Sequence, residues 1–432
     1  MFKKSVIFTI LILVIRMTVS SANDNLNLLI KEALSNNPEY RAASLQLEAT
    51  KAVVHQAGAL PDPNLGVAVL NLPVDNYRFD QEPMTGKRLS LMQKIPFPGK
   101  LGLRKKNAHI DVAIAKERIV DLKNNLMRRV KTAYFDLLLI DRSIEIIERN
   151  SSLADQIIEV AESKYAIGEG IRQDVLKAYI ERSKIQERII SFVQNREKTV
   201  FMLNRLLNRE SASLIQDEAE IHHVDIEIGL GELKEQGLSH NPRLKIARML
   251  IDQAHNRYNL AKLNYAPDFS LGVAYTQRED LASGLRMDDF LSFELNIRLP
   301  IYFLKKQSKK VQESRLNIES FWEKYESIKN QMNFEIEYAY SEITKINSMI
   351  ELYESEIIPR ARQSLNSSIG AYRVNKIDFL TLIDNQMTLL NYELEFIRLV
   401  TEHAKEVARL EAAVGKRLNS KYIENRKEER NE

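Results

Sequence analysis

The chain has 432 residues, enough for two or three domains of ordinary size. At 44% hydrophobic and 28% charged it is not disordered throughout, and 62 basic against 59 acidic residues leave +3, no electrostatic footprint for nucleic acid. It has no cysteine, which excludes disulfide scaffolds, thiolate metal sites, cysteine nucleophiles and amino-terminal lipidation on Cys. Fourteen glycines and 11 prolines are about half the usual share, so turns are few and elements long, a pattern that disfavours compact α/β enzymes.

Residues 1–22 read as a secretory signal peptide. Lys3 and Lys4 precede a mostly apolar run over 5–15, and Ser20-Ser21-Ala22 offers small residues for cleavage. Arg16 interrupts the apolar run well short of the ~20 residues a spanning anchor needs. No later segment is apolar for 18 residues, so the mature chain is expected to be exported without a transmembrane helix.

The remainder is an internal repeat with a period near 205 residues. Leu34-Ser35-Asn36-Asn37-Pro38 recurs as Leu238-Ser239-His240-Asn241-Pro242, and Leu65-Gly66-Val67-Ala68 as Leu271-Gly272-Val273-Ala274. Ile95-Pro96 matches Leu299-Pro300, and Ala133-Tyr134 matches Ala339-Tyr340. A period this long is a duplicated domain and not a solenoid of short units. Residues 23–228 form the first repeat, with strands near 64–72 and 87–95 and helices over 100–167 and 171–208. Residues 229–415 form the second, with strands near 269–277 and 289–299 and helices over 303–358 and 361–414; a charged tail of unassigned role follows at 416–432.

The helices are read from stretches without Gly or Pro: 103–167, 171–228, 301–358 and 371–414. A helix of ~65 residues would be ~100 Å long, beyond any globular diameter. Ile383, Met387, Leu390, Leu394, Ile397, Thr401 and Ala404 step alternately by four and three, a seam for neighbouring helices. The strands are read from the opposite period. Leu291, Phe293, Leu295, Ile297 and Leu299 alternate with Ser292, Glu294, Asn296 and Arg298; Leu89, Leu91 and Ile95 alternate with Arg88, Ser90, Met92 and Lys94. Strands of this length suit a tilted membrane span, and polar hairpin loops join them over 73–87 and 277–289.

Pro61, Pro63, Pro96, Pro98, Pro267 and Pro300 mark the corners where helix meets strand, ending one ladder without breaking the next. Basic clusters follow the outgoing corners: Lys100, Arg104, Lys105 and Lys106, then Lys305, Lys306, Lys309 and Lys310. They read either as a solvated first helical turn or as lysines at lipid headgroups. Four amphipathic strands cannot close a barrel, and an open sheet edge in a bilayer leaves backbone groups unpaired at several kcal/mol each. The sheet must therefore be completed by copies of itself, as eight strands with a filled interior or twelve with a lumen.

With these features the chain resembles the TolC-type outer-membrane efflux proteins over essentially its whole mature length, and Gln93-Lys94-Ile95-Pro96-Phe97-Pro98-Gly99-Lys100 is similar to the corner of the heavy-metal (cobalt-zinc-cadmium and copper-silver) branch. The resemblance implies a mainly α fold with a small β part. Long antiparallel coiled-coil helices would accompany four transmembrane β-strands per chain, in a twelve-stranded trimeric barrel above an α-helical periplasmic tunnel. It implies a homotrimer in outer-membrane lipid, docked onto a periplasmic adaptor (membrane fusion protein) and an inner-membrane pump. Many members of the branch carry a lipidated amino-terminal Cys, which this chain lacks.

Tyr165-Ala166-Ile167-Gly168, followed by Asp174-Val175-Leu176, aligns without gaps to Tyr372-Arg373-Val374-Asn375, followed by Thr381-Leu382-Ile383-Asp384. By the resemblance these are the periplasmic helix-to-helix turns where adaptor helices dock, with Tyr165, Gly168, Asp174, Tyr372 and Asn375 as tip residues. Gly168 and Asn375 suit the left-handed backbone that reverses a helical hairpin. Asp384 matches the family position whose carboxylate faces the pore near its closed end, where three copies would make a ring favouring cations. The family's second acid, three positions earlier, is here Thr381, with Asp378 as a partial substitute in the gate.

Catalytic constellations are missing. The seven histidines, at 55, 109, 222, 223, 240, 255 and 403, are nowhere paired at i, i+4 spacing. His222-His223, amid Asp217, Glu218, Glu220 and Asp225, is the one metal-like cluster, but adjacent side chains point apart. Neither a Gly-rich phosphate loop nor a Gly-x-Ser-x-Gly elbow is found. No enzyme activity, cofactor, metal site or nucleic-acid partner is expected. The sequence is read as a passive trimeric exit duct of a tripartite export system. The alternatives are a periplasmic coiled-coil adaptor or scaffold, and the outer-membrane component of a type I polypeptide secretion system. Metals, drugs and polypeptides remain open as substrates, metals ahead on the corner motif.

Overall fold

A computed structural model describes residues 22–211, 213, 215 and 228–418. Residues 1–21 of the signal segment, His222 and His223, and residues 419–432 of the tail lie outside the described residues. In chain order the elements are α1 (Ala22–Asn36), α2 (Pro38–Gly58), β1 (Asn64–Leu70), β2 (Gly86–Ile95), α3 (Lys100–Ala166), α4 (Arg172–Leu207), α5 (Leu230–His240), α6 (Pro242–Leu263), β3 (Asp268–Gln277), β4 (Phe290–Arg298), α7 (Gln307–Leu352), a π turn (Tyr353–Ile357), α8 (Ile358–Arg373) and α9 (Phe379–Val414). The 67 residues of α3 give it a length of about 100 Å at ~1.5 Å per residue.

The chain divides into two compact units, and each draws on both repeats. One comprises residues 43–118 and 243–328 and carries the sheet; the other comprises residues up to 42, 119–242 and from 329 onwards. The sheet is an antiparallel meander in the order β1-β2-β3-β4, so β1 and β4 are open edges. Its register puts Leu65 opposite Leu91, Val67 opposite Leu89, Leu89 opposite Tyr275, Leu91 opposite Val273, and Val273 opposite Phe293. The apolar residues of all four strands thus share one face. That face is uncovered: Val67 and Phe293 are each 80% exposed, and Leu65, Leu89, Leu91, Leu271, Leu291 and Leu295 are exposed with them. The other face is polar, with Arg88 of β2 paired to Glu294 of β4.

The helical unit buries what the seam promised. Leu390, Thr401 and Ala404 of α9 are buried, and Leu390 packs with Ile146, Ile147, Ala154 and Ile185 while Met387, Leu394 and Ile397 line the margin. Two asparagines, one per repeat, tie helix ends together: the Asn37 amide donates to the Leu206 carbonyl at 3.2 Å, and the Asn241 amide to the Ala413 carbonyl at 2.7 Å. Each accepting carbonyl lies in a last helical turn, where no intrahelical donor is left. Lys131 pairs with Glu411 in the interior of the same unit.

Two sequence expectations change. The helix read over 303–358 begins at Gln307 and does not end before Pro359: it passes through the π turn and runs to Arg373, so the helix read over 361–414 is two. A wider turn removes the demand for the N–H that proline lacks. Lys100 is neither solvated nor at a headgroup. It is buried against Asp268 at 2.8 Å, and the same carboxylate oxygen accepts the Phe97 N–H at 2.9 Å. This pins the β2 corner to the start of β3, with Gly99 at φ 92 making the turn. The six corner prolines all fall between a helix and a strand: Pro61 and Pro63 before β1, Pro96 and Pro98 after β2, Pro267 before β3 and Pro300 after β4.

Candidate functional site: the paired helical turns

The two turns, α3 to α4 and α8 to α9, are built alike. Gly168 has φ 78 and Asn375 φ 59, both left-handed. Glu169 N donates to Lys164 O and Lys376 N to Ala371 O, each at 2.9 Å, while Gly168 N reaches Tyr165 O at 3.1 Å and Asn375 N reaches Tyr372 O at 3.2 Å. This six-to-one plus five-to-two pattern closes a helix with its last carbonyls satisfied, and it needs a residue that accepts positive φ.

A lysine joins the two turns. Lys164, only 6% exposed, donates its ammonium to the Tyr372 carbonyl at 2.6 Å and to the Asn375 side-chain oxygen, and it lies 4.5 Å from the centre of the Tyr372 ring. Sequence reading missed it. Its repeat counterpart is Ala371, so the duplication offers no matching charge, and a lone lysine at a helix end reads as solvated.

Tyr372, expected as a contact residue, is buried. Its ring packs edge-on to Phe379 at 5.7 Å, among Ile158, Ala161, Ala178, Leu365 and Leu382. Its hydroxyl faces the Asp174 carboxylate at 3.4 Å. Burial, with the Asp174 charge second, pushes the Tyr372 hydroxyl up to about 12, so it stays protonated and able to donate. Asp174 and Tyr372 are thus brought together as internal supports. The turns expose Tyr165, Ile167 and Ile171 on one side and Val374 and Leu380 on the other, beside the charged Glu169, Arg172, Arg373 and Lys376.

The three acid-gate positions separate into two roles. Asp378 is the N-cap of α9, accepting the Thr381 N–H at 2.7 Å. The Thr381 amide, then its hydroxyl and more weakly Lys177, hold the Asp378 carboxyl below its ordinary range. Asp378, expected as a partial substitute gate charge, is thus also engaged by the helix start through one oxygen. Thr381 is exposed and helps form the cap. Asp384, one turn along, is exposed and makes no ion pair or hydrogen bond among the described residues.

Among the described residues no helix is long and apolar enough to cross a membrane, and no three His, Asp or Glu side chains converge as a metal site. Residues 29–209 and 233–416 match the family described as outer membrane efflux protein. The chain belongs to that family. This outer membrane efflux protein is 15% identical over 389 residues to the cobalt-zinc-cadmium resistance protein CzcC of Cupriavidus metallidurans, covering 89% of this chain and 88% of the relative. Its fold is that of the outer membrane protein VceC of Vibrio cholerae, with a TM-score of 0.77 at 18% identity over 91% of this chain and 96% of that one. CusC, solved in connection with transmembrane channel formation, gives 0.77 at 18% identity over 91% and 92%. The fold class expected from the sequence, mainly helical with a small sheet, is the fold observed, and the protein is an outer membrane efflux protein.

Proposed function

We propose that three copies of this efflux protein, four strands each, close a twelve-stranded barrel that continues as a helical periplasmic tunnel, the exit duct of a tripartite system. The observation that carries this reading is the sheet: two open edges, and one face of exposed apolar side chains matched in register across all four strands. Such a sheet is stable in lipid only when its edges pair, and twelve strands leave the lumen that eight do not.

A periplasmic adaptor docks at the turns. Tyr165 and its exposed apolar neighbours supply the contact area, Gly168 and Asn375 set the turn shape, and Asp174 and Tyr372 hold it from inside. Asp384 is the gate charge: three copies about the axis place three carboxylates together, and at close range they repel. Heavy-metal ions are the substrate class to examine first, since CzcC is named for cobalt, zinc and cadmium resistance and the Gln93–Lys100 corner resembles that branch.

Fractionation tests the assembly. An outer-membrane species that runs as a trimer unheated and as a monomer after boiling is expected; a soluble periplasmic monomer would refute the duct.

A further inference from the structure

Where β4 runs into α7 the sheet-bearing unit keeps an open hollow of about 680 Å³, lined in part by Arg298, Ile301, Tyr302, Lys305, Lys306 and Gln307. Six basic side chains line it against two carboxylates. Both carboxylates are engaged, Asp268 by Lys100 and Glu313 by Lys310. Arg298, Lys305 and Lys306 have no ion-pair partner among the described residues. Like charges gathered in one hollow repel each other, and an anion placed among them relieves that repulsion. The first repeat treats the same corner in the opposite way, burying its leading lysine on Asp268.

The second observation is apolar. The uncovered face of β4 does not stop at the strand: Leu299, Ile301, Tyr302 and Leu304 are all exposed and run directly into the hollow's basic rim. A free inorganic anion has no use for that surface. A lipid uses both, its acyl chains against the apolar residues and its phosphate against the cations, with the tyrosine at headgroup level. The N-terminus of α7, at Gln307, adds favourable potential for an anion. Gln307 Oε1 is buried and has no hydrogen-bond partner among the described residues, an acceptor left for a headgroup hydroxyl or amine.

We propose that this hollow binds the headgroup of an anionic glycerophospholipid in the periplasm-facing leaflet, fixing the depth at which β4 meets α7. The inference rests on the outer-membrane reading of the sheet. Its test is native mass spectrometry of the full-length protein in neutral detergent, with dioctanoyl phosphatidylglycerol, dioctanoyl phosphatidylcholine and inorganic phosphate as separate probes. Phosphatidylglycerol should bind tighter than phosphatidylcholine by about tenfold. Arg298→Gln/Lys305→Gln/Lys306→Gln should lose most of that preference, and the charge-keeping Lys305→Arg/Lys306→Arg should retain it. If the triple variant does not assemble, Lys305→Gln/Lys306→Gln, both on an exposed turn, is read in its place. Equal affinity for the two lipids, a preference unchanged by the substitutions, or displacement by equimolar inorganic phosphate would each overturn the proposal. The same spectra report the oligomer. A trimer without lipid preference ends this inference alone, whereas a monomer that prefers phosphatidylglycerol ends the duct reading and leaves the site.

Discussion

Lys164→Met should unlatch the two turns from each other. The substitution keeps an apolar stem of similar length against the Tyr372 ring but removes the ammonium, leaving the Tyr372 carbonyl and the Asn375 side-chain oxygen without that donor. Hydrogen bonds to a charged group contribute about 1.5–3 kcal/mol each. Two of them, less the cost of keeping an ammonium in a site that is only 6% exposed, leave a local loss of about 3 kcal/mol. At about 1.4 kcal/mol per decade that is roughly a hundredfold in the local opening equilibrium. Amide hydrogen exchange of the assembled protein reads it directly. The amides of Asn375 and Lys376, which close the second turn, and of Glu169 and Gly170, which bond to the Lys164 carbonyl, should exchange about a hundredfold faster. Amides in the distant Ile336 to Ile346 stretch should not change. If Asn375 and Lys376 keep their exchange rates within a factor of about three of the parent, Lys164 is a bystander and the coupling of the two turns is refuted.

Lys131→Met should cost about 3–5 kcal/mol by stranding Glu411 in the interior, and Lys131→Met/Glu411→Met should recover much of it; thermal unfolding followed by helical circular dichroism compares the two. Gly415→Ala places a Cβ 2.8 Å from both Asn241 Cα and His240 O at φ 82. The left-handed backbone alone costs about 1–2 kcal/mol, so a clear fall in melting temperature is expected, and an unchanged one would mean the helix end is free to move. The Asp378 cap should be pH-sensitive. Its carboxyl is held low in the folded chain, so the cap contributes fully above the ordinary carboxylate range and is lost as pH falls through the depressed value; exchange at Thr381 and Leu382 should quicken only in acid. Asp384→Ala should raise the resting conductance of the purified channel in planar bilayers, and an unchanged conductance would remove Asp384 from the gate.

What was legible in the sequence was whatever repeats locally. The strands announce themselves because their apolar face meets no protein, so the alternation of Leu291, Phe293 and Leu295 is undiluted by packing constraints. The turns are marked by Gly168 and Asn375 because positive φ leaves little choice of residue. Hidden features join distant stretches. Asp268 and Lys100 are 168 positions apart, and Lys164 and Tyr372 are 208 apart; neither pair has a spacing that any local pattern records. Tyr372 is expected as an adaptor contact because the resemblance treats both turns alike, yet the neighbouring Phe379 and Leu382 draw only the second ring inward. Asp378 showed its acid but not its duty, since a cap and a free charge differ only in where the chain bends.

The π turn at Tyr353–Ile357 keeps a record of how the two halves diverged. Val130, Ala133, Leu137 and Ile140 are buried, and so are Ile336, Ala339, Ile343 and Ile346, each 206 positions later. Beyond the turn the correspondence is 207: Ile158 answers to Leu365 and Ala161 to Ser368. The second copy therefore carries one residue more than the first between these points, and an α-helix has no slack for it: every side chain past it would swing by about 100° around the axis. A single wider loop of helix swallows the surplus and restores the phase, so the descendants of one ancestral hairpin still present the same stripe to their neighbours at both ends.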